Sequence, residues 1–199
     1  MPSALHVAFT HDRYLLTQTQ ADGARRISIR GSYGAPSLYC EREADEAGAP
    51  LRVFADREKE SELIWCCPEA PSTAETGFTV LDATSEREVG SLALASNDDG
   101  AWTLRGPDGE DLARFRKVSG AGSARGMLEA LLLGASYAAH REGRALATYA
   151  PRLTLSGRAL EIDCSEDPGR ELDRRLVVAG AILLALGEMR PTDPAHGAA

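Results

Sequence analysis

Thiols, imidazoles and clustered carboxylates are the side chains from which a chain builds nucleophiles and metal sites, and here they are few and scattered. Cys66 and Cys67 are adjacent in an apolar run, where strand alternation sends them to opposite faces, so reduced thiols are expected. There is no C-x-x-C pair, and His6, His11, His140 and His196 show no zinc spacing. The acidic stretch Asp163-Cys164-Ser165-Glu166-Asp167-Pro168-Gly169 lacks the D-x-[DN]-x-[DN]-G rhythm and terminal Glu of a calcium loop. Its acids suit the positive start of a following helix, with Asp167 as N-cap and Pro168 at the first helical position. Ser119-Gly120-Ala121-Gly122-Ser123-Ala124-Arg125-Gly126 has G-x-G-x-x-x-G spacing and no Walker lysine, which reads as a linker between a strand and a helix. The paired carboxylates Asp98-Asp99 and Glu110-Asp111 fall at turns, where acids are common, and no G-x-S-x-G elbow occurs. These patterns predict a non-catalytic protein with no cofactor and no metal, and they single out no ligand-binding residue.

Charge narrows the partners. The chain has a formal net charge of -8, and acids outnumber bases 11 to 5 in residues 61–120 against 9 to 8 before and 10 to 9 after. Lys59 and Lys117 are its two lysines, so it offers no basic tract for a nucleic acid and no polybasic membrane patch. Arg25, Arg26 and Arg30 are the basic residues that could converge in space with arginines of other strands, although solvated strand faces are the expected reading. Met1–Thr10 has no basic region followed by a long apolar core, so a cytoplasmic location, possible also at the periphery of a membrane, is the expectation.

The elements that must position any site are mostly strands. Short runs closed by turn residues cover Tyr14–Gln20, Arg25–Arg30, Ser37–Glu41, Leu51–Ala55, Leu63–Cys67 and Phe78–Asp82. Further runs cover Val89–Ala95, Ala101–Arg105, Asp111–Val118, Ala145–Tyr149, Arg152–Leu155 and Arg158–Cys164, about a dozen strands in all. Asp22-Gly23, Asp99-Gly100, Asp108-Gly109 and Ser156-Gly157 supply hairpin turns, so the order reads as a meander. Between these runs, Ser123–Arg141 places Ala124, Leu128, Leu131, Leu132, Ala135, Ala138 and Ala139 at helical spacing, predicting an amphipathic helix over about 123–141.

A second helix, from about Pro168 to Met189, has no polar face through Leu176–Leu186. A helix apolar all round is enclosed by lipid or by protein. The fourteen residues from Leu176 to Met189 span about 21 Å, short of the roughly 30 Å hydrocarbon core, and Glu188 lies among them. Protein must enclose it. Eight strands make a barrel filled by its own side chains, so a dozen are the number that can hold a helix about 10 Å across. The expected fold is therefore mainly β: a closed barrel of about twelve strands around a buried C-terminal helix. A β-sandwich with the helix between or beside its sheets is the rival. Residues 1–12 read as a lead-in, 13–190 as one domain and 191–199 as a frayed tail.

The residues Val53-Phe54-Ala55-Asp56, Phe78-Thr79-Val80-Leu81-Asp82 with Val89-Gly90-Ser91-Leu92, Trp102-Thr103-Leu104 with Gly109, and Leu172-Asp173-Arg174-Arg175-Leu176 before the apolar helix form a familiar order. From about Tyr14 to Arg190 the chain resembles the tubby C-terminal-like superfamily, which includes phospholipid scramblases and LURP-one-related proteins, in the style of its bacterial members. The resemblance implies a twelve-stranded barrel around a C-terminal helix. It also implies a binding module for a phospholipid headgroup, a phosphoinositide or a membrane surface. The different-class expectation is a soluble scaffold or protein-interaction domain without lipid affinity.

Overall fold

A computed structural model describes residues 5–32, 37–43, 48–69, 75–95, 101–118, 135–154, 157–187 and 189. A 3-10 turn, Val7–Phe9, leads into β1 (Arg13–Ala21), β2 (Ala24–Gly31), β3 (Ser37–Arg42), β4 (Leu51–Phe54), β5 (Glu62–Pro68) and β6 (Glu75–Asp82). These are followed by β7 (Glu88–Ala95), β8 (Trp102–Arg105), β9 (Asp111–Val118), β10 (Ser136–Arg141), β11 (Arg144–Thr154), β12 (Gly157–Asp163) and α1 (Arg174–Leu186). Each strand pairs antiparallel with the next, and β12 closes on β1 through Arg13–Thr17 against Ala159–Asp163, which makes a closed barrel.

Alternation explains both faces. On β2, Ile27 and Ile29 are buried while Arg30 is exposed, and the outer face carries ion pairs such as Arg13–Asp163 at 3.0 Å and Arg52–Glu62 at 3.1 Å. An apolar interior under a charged exterior is the reverse of a membrane-spanning barrel, whose outer band is apolar. Among the described residues no helix is long and apolar enough to cross a membrane.

Helix α1 runs through this interior. It touches β1 and β12 on one side and β6 and β7 on the other, pairs that stand opposite one another in the ring. Leu176–Leu183 is buried without interruption. At Gly90 on β7 the wall comes close to the helix: a Cβ there would run into Arg105 O and press Leu176 Cδ1 at 3.0 Å, and the residue sits at φ 150°. At Gly180 a methyl would meet Leu92 Cδ2 at 3.4 Å and Tyr149 Oη at 3.7 Å, ordinary contacts. Gly187, with φ 75°, ends the helix, its N–H donating to Leu183 O and Leu184 O.

Three sequence expectations change. Ser136–Arg141, expected at the end of an amphipathic helix over 123–141, is strand β10; residues 119–134 lie outside the described residues. Alanines at helical spacing are overridden because closing the ring requires a partner for β9 and β11, and Tyr137 stacks on Phe115 of β9 at 5.4 Å. The Glu142-Gly143 turn that follows, with both φ positive, is the hairpin signal that the helical reading passed over. Second, the two runs expected at Ala145–Tyr149 and Arg152–Leu155 are joined in one strand, β11, over Arg144–Thr154, which continues through Pro151, with residue 155 outside the described residues. That proline lies beyond the last pair with β10, Tyr137 with Tyr149, at a local edge where a missing N–H is tolerated. The total of twelve thus survives one strand missed and one strand counted twice. Third, α1 starts at Arg174 with Asp173 as N-cap, its side chain accepting from Arg175 N at 2.8 Å, so Asp167 and Pro168 precede the helix.

Candidate functional site

The barrel has two unlike ends. At the lower end, where α1 begins, charges are paired. Arg174 is 1% exposed and Asp167 0%; Nη1 donates to Asp167 Oδ2 at 2.8 Å and to Leu172 O at 3.1 Å, and Nη2 to Asp167 O at 2.9 Å. Asp167 also accepts from Glu171 N and Leu172 N, at 2.9 and 3.1 Å. Beside it Arg175 bridges Asp82 and Asp173 at 2.8 and 2.6 Å. Asp163 accepts from Ser165 N at 2.9 Å and pairs with Arg13 at 3.0 Å. Asp163 and Asp167 of the acidic stretch 163–169 are therefore spent on nearby backbone and on arginines, and no group of three metal-ligating residues stands together among the described residues. A cavity of about 420 Å³ at this end is lined by Arg170, Arg174, Arg175, Glu88, Glu110 and their neighbours. Cys164 lies buried here, and burial pushes its thiol up to about 12, while Tyr14, also buried, is raised far above the ordinary phenol range by desolvation.

At the upper end the wall opens. Among the described residues, pairing of β1 with β12 stops at Thr17 and Ala159, although β1 continues to Ala21; pairing of β10 with β11 stops at Tyr137 and Tyr149, although β11 continues to Thr154. The paired strand ends Ala150–Thr154 and Gly157–Arg158 of β11 and β12 therefore extend past the last described pairs with both flanking strands. Beneath them lies a groove of about 490 Å³, within the size range of small-molecule sites. Its floor is Leu184 and Ala185 of α1, its apolar walls are Leu16, Leu160, Pro151 and Tyr137, and its polar wall is the exposed run Gln18-Thr19-Gln20 of β1. Gln18 shares the inward parity of Tyr14 and Leu16, both buried. Near the end of β11 Leu153 is 71% exposed. Such a lining can offer apolar contact and amide or hydroxyl hydrogen bonds. No sequence motif marks it, because it forms where two ladders end.

The arginines singled out from sequence do not converge. Arg25 faces the mouth, where its Nη1 donates to Leu186 O at 2.7 Å and meets the negative end of α1. Arg26 points outward to Glu41 at 3.0 Å, and Arg30 is an exposed outer residue of β2. Glu41 also pairs with Lys59 at 2.6 Å and accepts from Tyr39 Oη at 3.1 Å. Hydrogen bonds from Lys59 and Arg26 hold its carboxyl down at about 2. All four cysteines are unbridged, with Cys66 buried and Cys67 half-buried on opposite faces of β5. Asp98-Asp99 and the glycine-rich stretch at 119–126 lie outside the described residues, whereas Asp111 accepts from Arg105 Nε at 3.2 Å. Comparison with protein-family models, curated proteins and solved structures returned no match.

Proposed function

We propose that this chain is a non-catalytic binding module of the tubby-like kind that holds a lipid in the upper groove and can work at a membrane surface from the cytoplasmic side. One observation carries the reading: a groove with apolar walls on a helix floor, edged by uncharged polar side chains and flanked by the exposed Leu153. An aliphatic chain would cover Leu184, Ala185, Leu16 and Leu160, and each CH₂ removed from water contributes about 0.8 kcal/mol. The non-catalytic part of the proposal rests on the same lining, in which amides, a threonine hydroxyl and a phenol stand where a nucleophile and base would be needed. The test is co-sedimentation with liposomes of varied anionic content, with and without calcium, paired with mass spectrometry of molecules that copurify. Lipid bound or carried through purification supports the reading. No binding to any composition and no copurifying lipid removes it.

A second reading, a protein-interaction scaffold without lipid affinity, draws on the strand edges that β1 beyond Thr17 and β11 beyond Tyr149 present among the described residues, since such edges can accept a strand from a partner. Retained binding of a protein partner by a form that takes up no lipid would favour it.

A further inference from the structure

We infer that the upper groove selects amphiphiles with one aliphatic chain and an uncharged head bearing hydroxyl or amide groups, and that it discriminates against anionic heads; this rests on the lipid reading of the same groove. The argument starts from what a head would meet. The polar wall consists of Gln18, Thr19 and Gln20, whose side chains both donate and accept hydrogen bonds but carry no charge. Among the described residues that line the groove, none is Arg, Lys, Asp or Glu. A hydroxyl or carboxamide head finds complementary partners there, whereas a phosphate or carboxylate head would give up water for neutral groups alone.

The surroundings strengthen this. Arg25 stands opposite Gln20 on β2, yet its guanidinium is directed at Leu186 O, and Arg26, on the other face, is held by Glu41. The chain as a whole carries a formal net charge of -8, so the mean field also repels an anion. The apolar part of the ligand is placed by the floor: Leu184 and Ala185 are the two helix residues that reach the groove, next to Leu16 and Leu160. A single narrow floor bounded by Pro151 and Tyr137, in about 490 Å³, suits one chain better than the two of a bilayer phospholipid.

The experiment presents monoolein, oleamide and oleoyl lysophosphatidate, each below its aggregation concentration, to the full chain and measures bound lipid by native mass spectrometry and by equilibrium gel filtration. The two neutral lipids are expected to bind at least about tenfold more tightly than lysophosphatidate, because an unpaired charge is costly beside neutral partners. Gln18→Lys should raise lysophosphatidate affinity by at least about tenfold while the fold is kept, since position 18 is exposed. Ala185→Trp should abolish uptake of all three by filling the floor. Equal or tighter binding of lysophosphatidate by the unaltered chain overturns the selectivity and leaves the lipid reading standing. Binding of none of the three, together with no copurifying lipid, overturns both. Undiminished binding by Ala185→Trp, with the circular dichroism of the unaltered chain, places the site elsewhere and overturns the inference.

Discussion

Replacing Arg174 with methionine tests what holds the lower end of the barrel. The guanidinium is 1% exposed, and its partner carboxylate on Asp167 is fully buried. Five acceptors converge on it: Asp167 Oδ2 at 2.8 Å, Asp167 O at 2.9 Å, Leu172 O at 3.1 Å, Cys164 O at 3.4 Å and the more exposed Asp12 Oδ1 at 3.4 Å. Arg174→Met leaves a buried carboxylate with two backbone N–H donors and no counter-charge, and leaves three carbonyls without that donor. Removing one partner of a buried pair costs about 3–5 kcal/mol. At about 2–4 °C per kcal/mol for a chain of this size, Tm should fall by roughly 6–20 °C. The assay is urea and thermal unfolding of the single mutants and of the cycle with Asp167→Asn. In the Asp167→Asn background the arginine change should cost less by about 1–3 kcal/mol, because the charge it abandons is gone. A Tm within about 3 °C of the parent, or a cycle additive to within about 0.5 kcal/mol, would falsify the assignment of this pair as the anchor of α1.

Other perturbations address other parts. Leu183→Asp puts a carboxylate at a fully buried position of α1 and should cost several kcal/mol, seen as loss of soluble folded protein; a soluble mutant of parental stability would refute a helix enclosed by the barrel. Glu41 has its pKa lowered from 4.5 to about 2, so its contribution to stability is complete above the unfolded value and is lost as pH falls through the folded one. Glu41→Gln should therefore flatten the stability profile between those two values and leave its shape near neutrality unchanged, as read by urea unfolding across pH. In the native state Cys67, half-buried, should be the thiol that reacts first with a disulfide reagent, and Cys40, Cys66 and Cys164 should react only on unfolding. Rapid native reaction at Cys164 would contradict the burial that pushes its thiol to about 12.

The architecture was readable because its decisive element depends on a simple count. An apolar run too short to span a bilayer, between Arg175 and Arg190, demands a protein wall, and strand-like runs supply one. Asp22-Gly23, with φ of 54° and 82°, marks its hairpin for the same local reason. Where the reading failed, tertiary structure overrode local preference. Ala138 and Ala139 favour a helix on their own, yet β9 and β11 need a strand between them. Asp167 has the residue type of an N-cap but is drawn into the core by Arg174, and Asp173 takes the cap. The groove left no trace at all in the sequence, since Gln18 and Leu184 are remote along the chain and become neighbours only where the β1–β12 ladder ends.

The order of elements also constrains how such a molecule is made. The helix that fills the ring comes after all twelve strands, so the strands leave the ribosome with their apolar inner faces waiting for a filling that has not been synthesised. A ring already sealed would have to reopen to admit a helix, so the junction of the first strand with the last should zip late, over α1 already docked. The packing of α1 and the closing β1–β12 seam are then deferred to one non-local event, which predicts slow folding and a nascent chain in need of protection from aggregation.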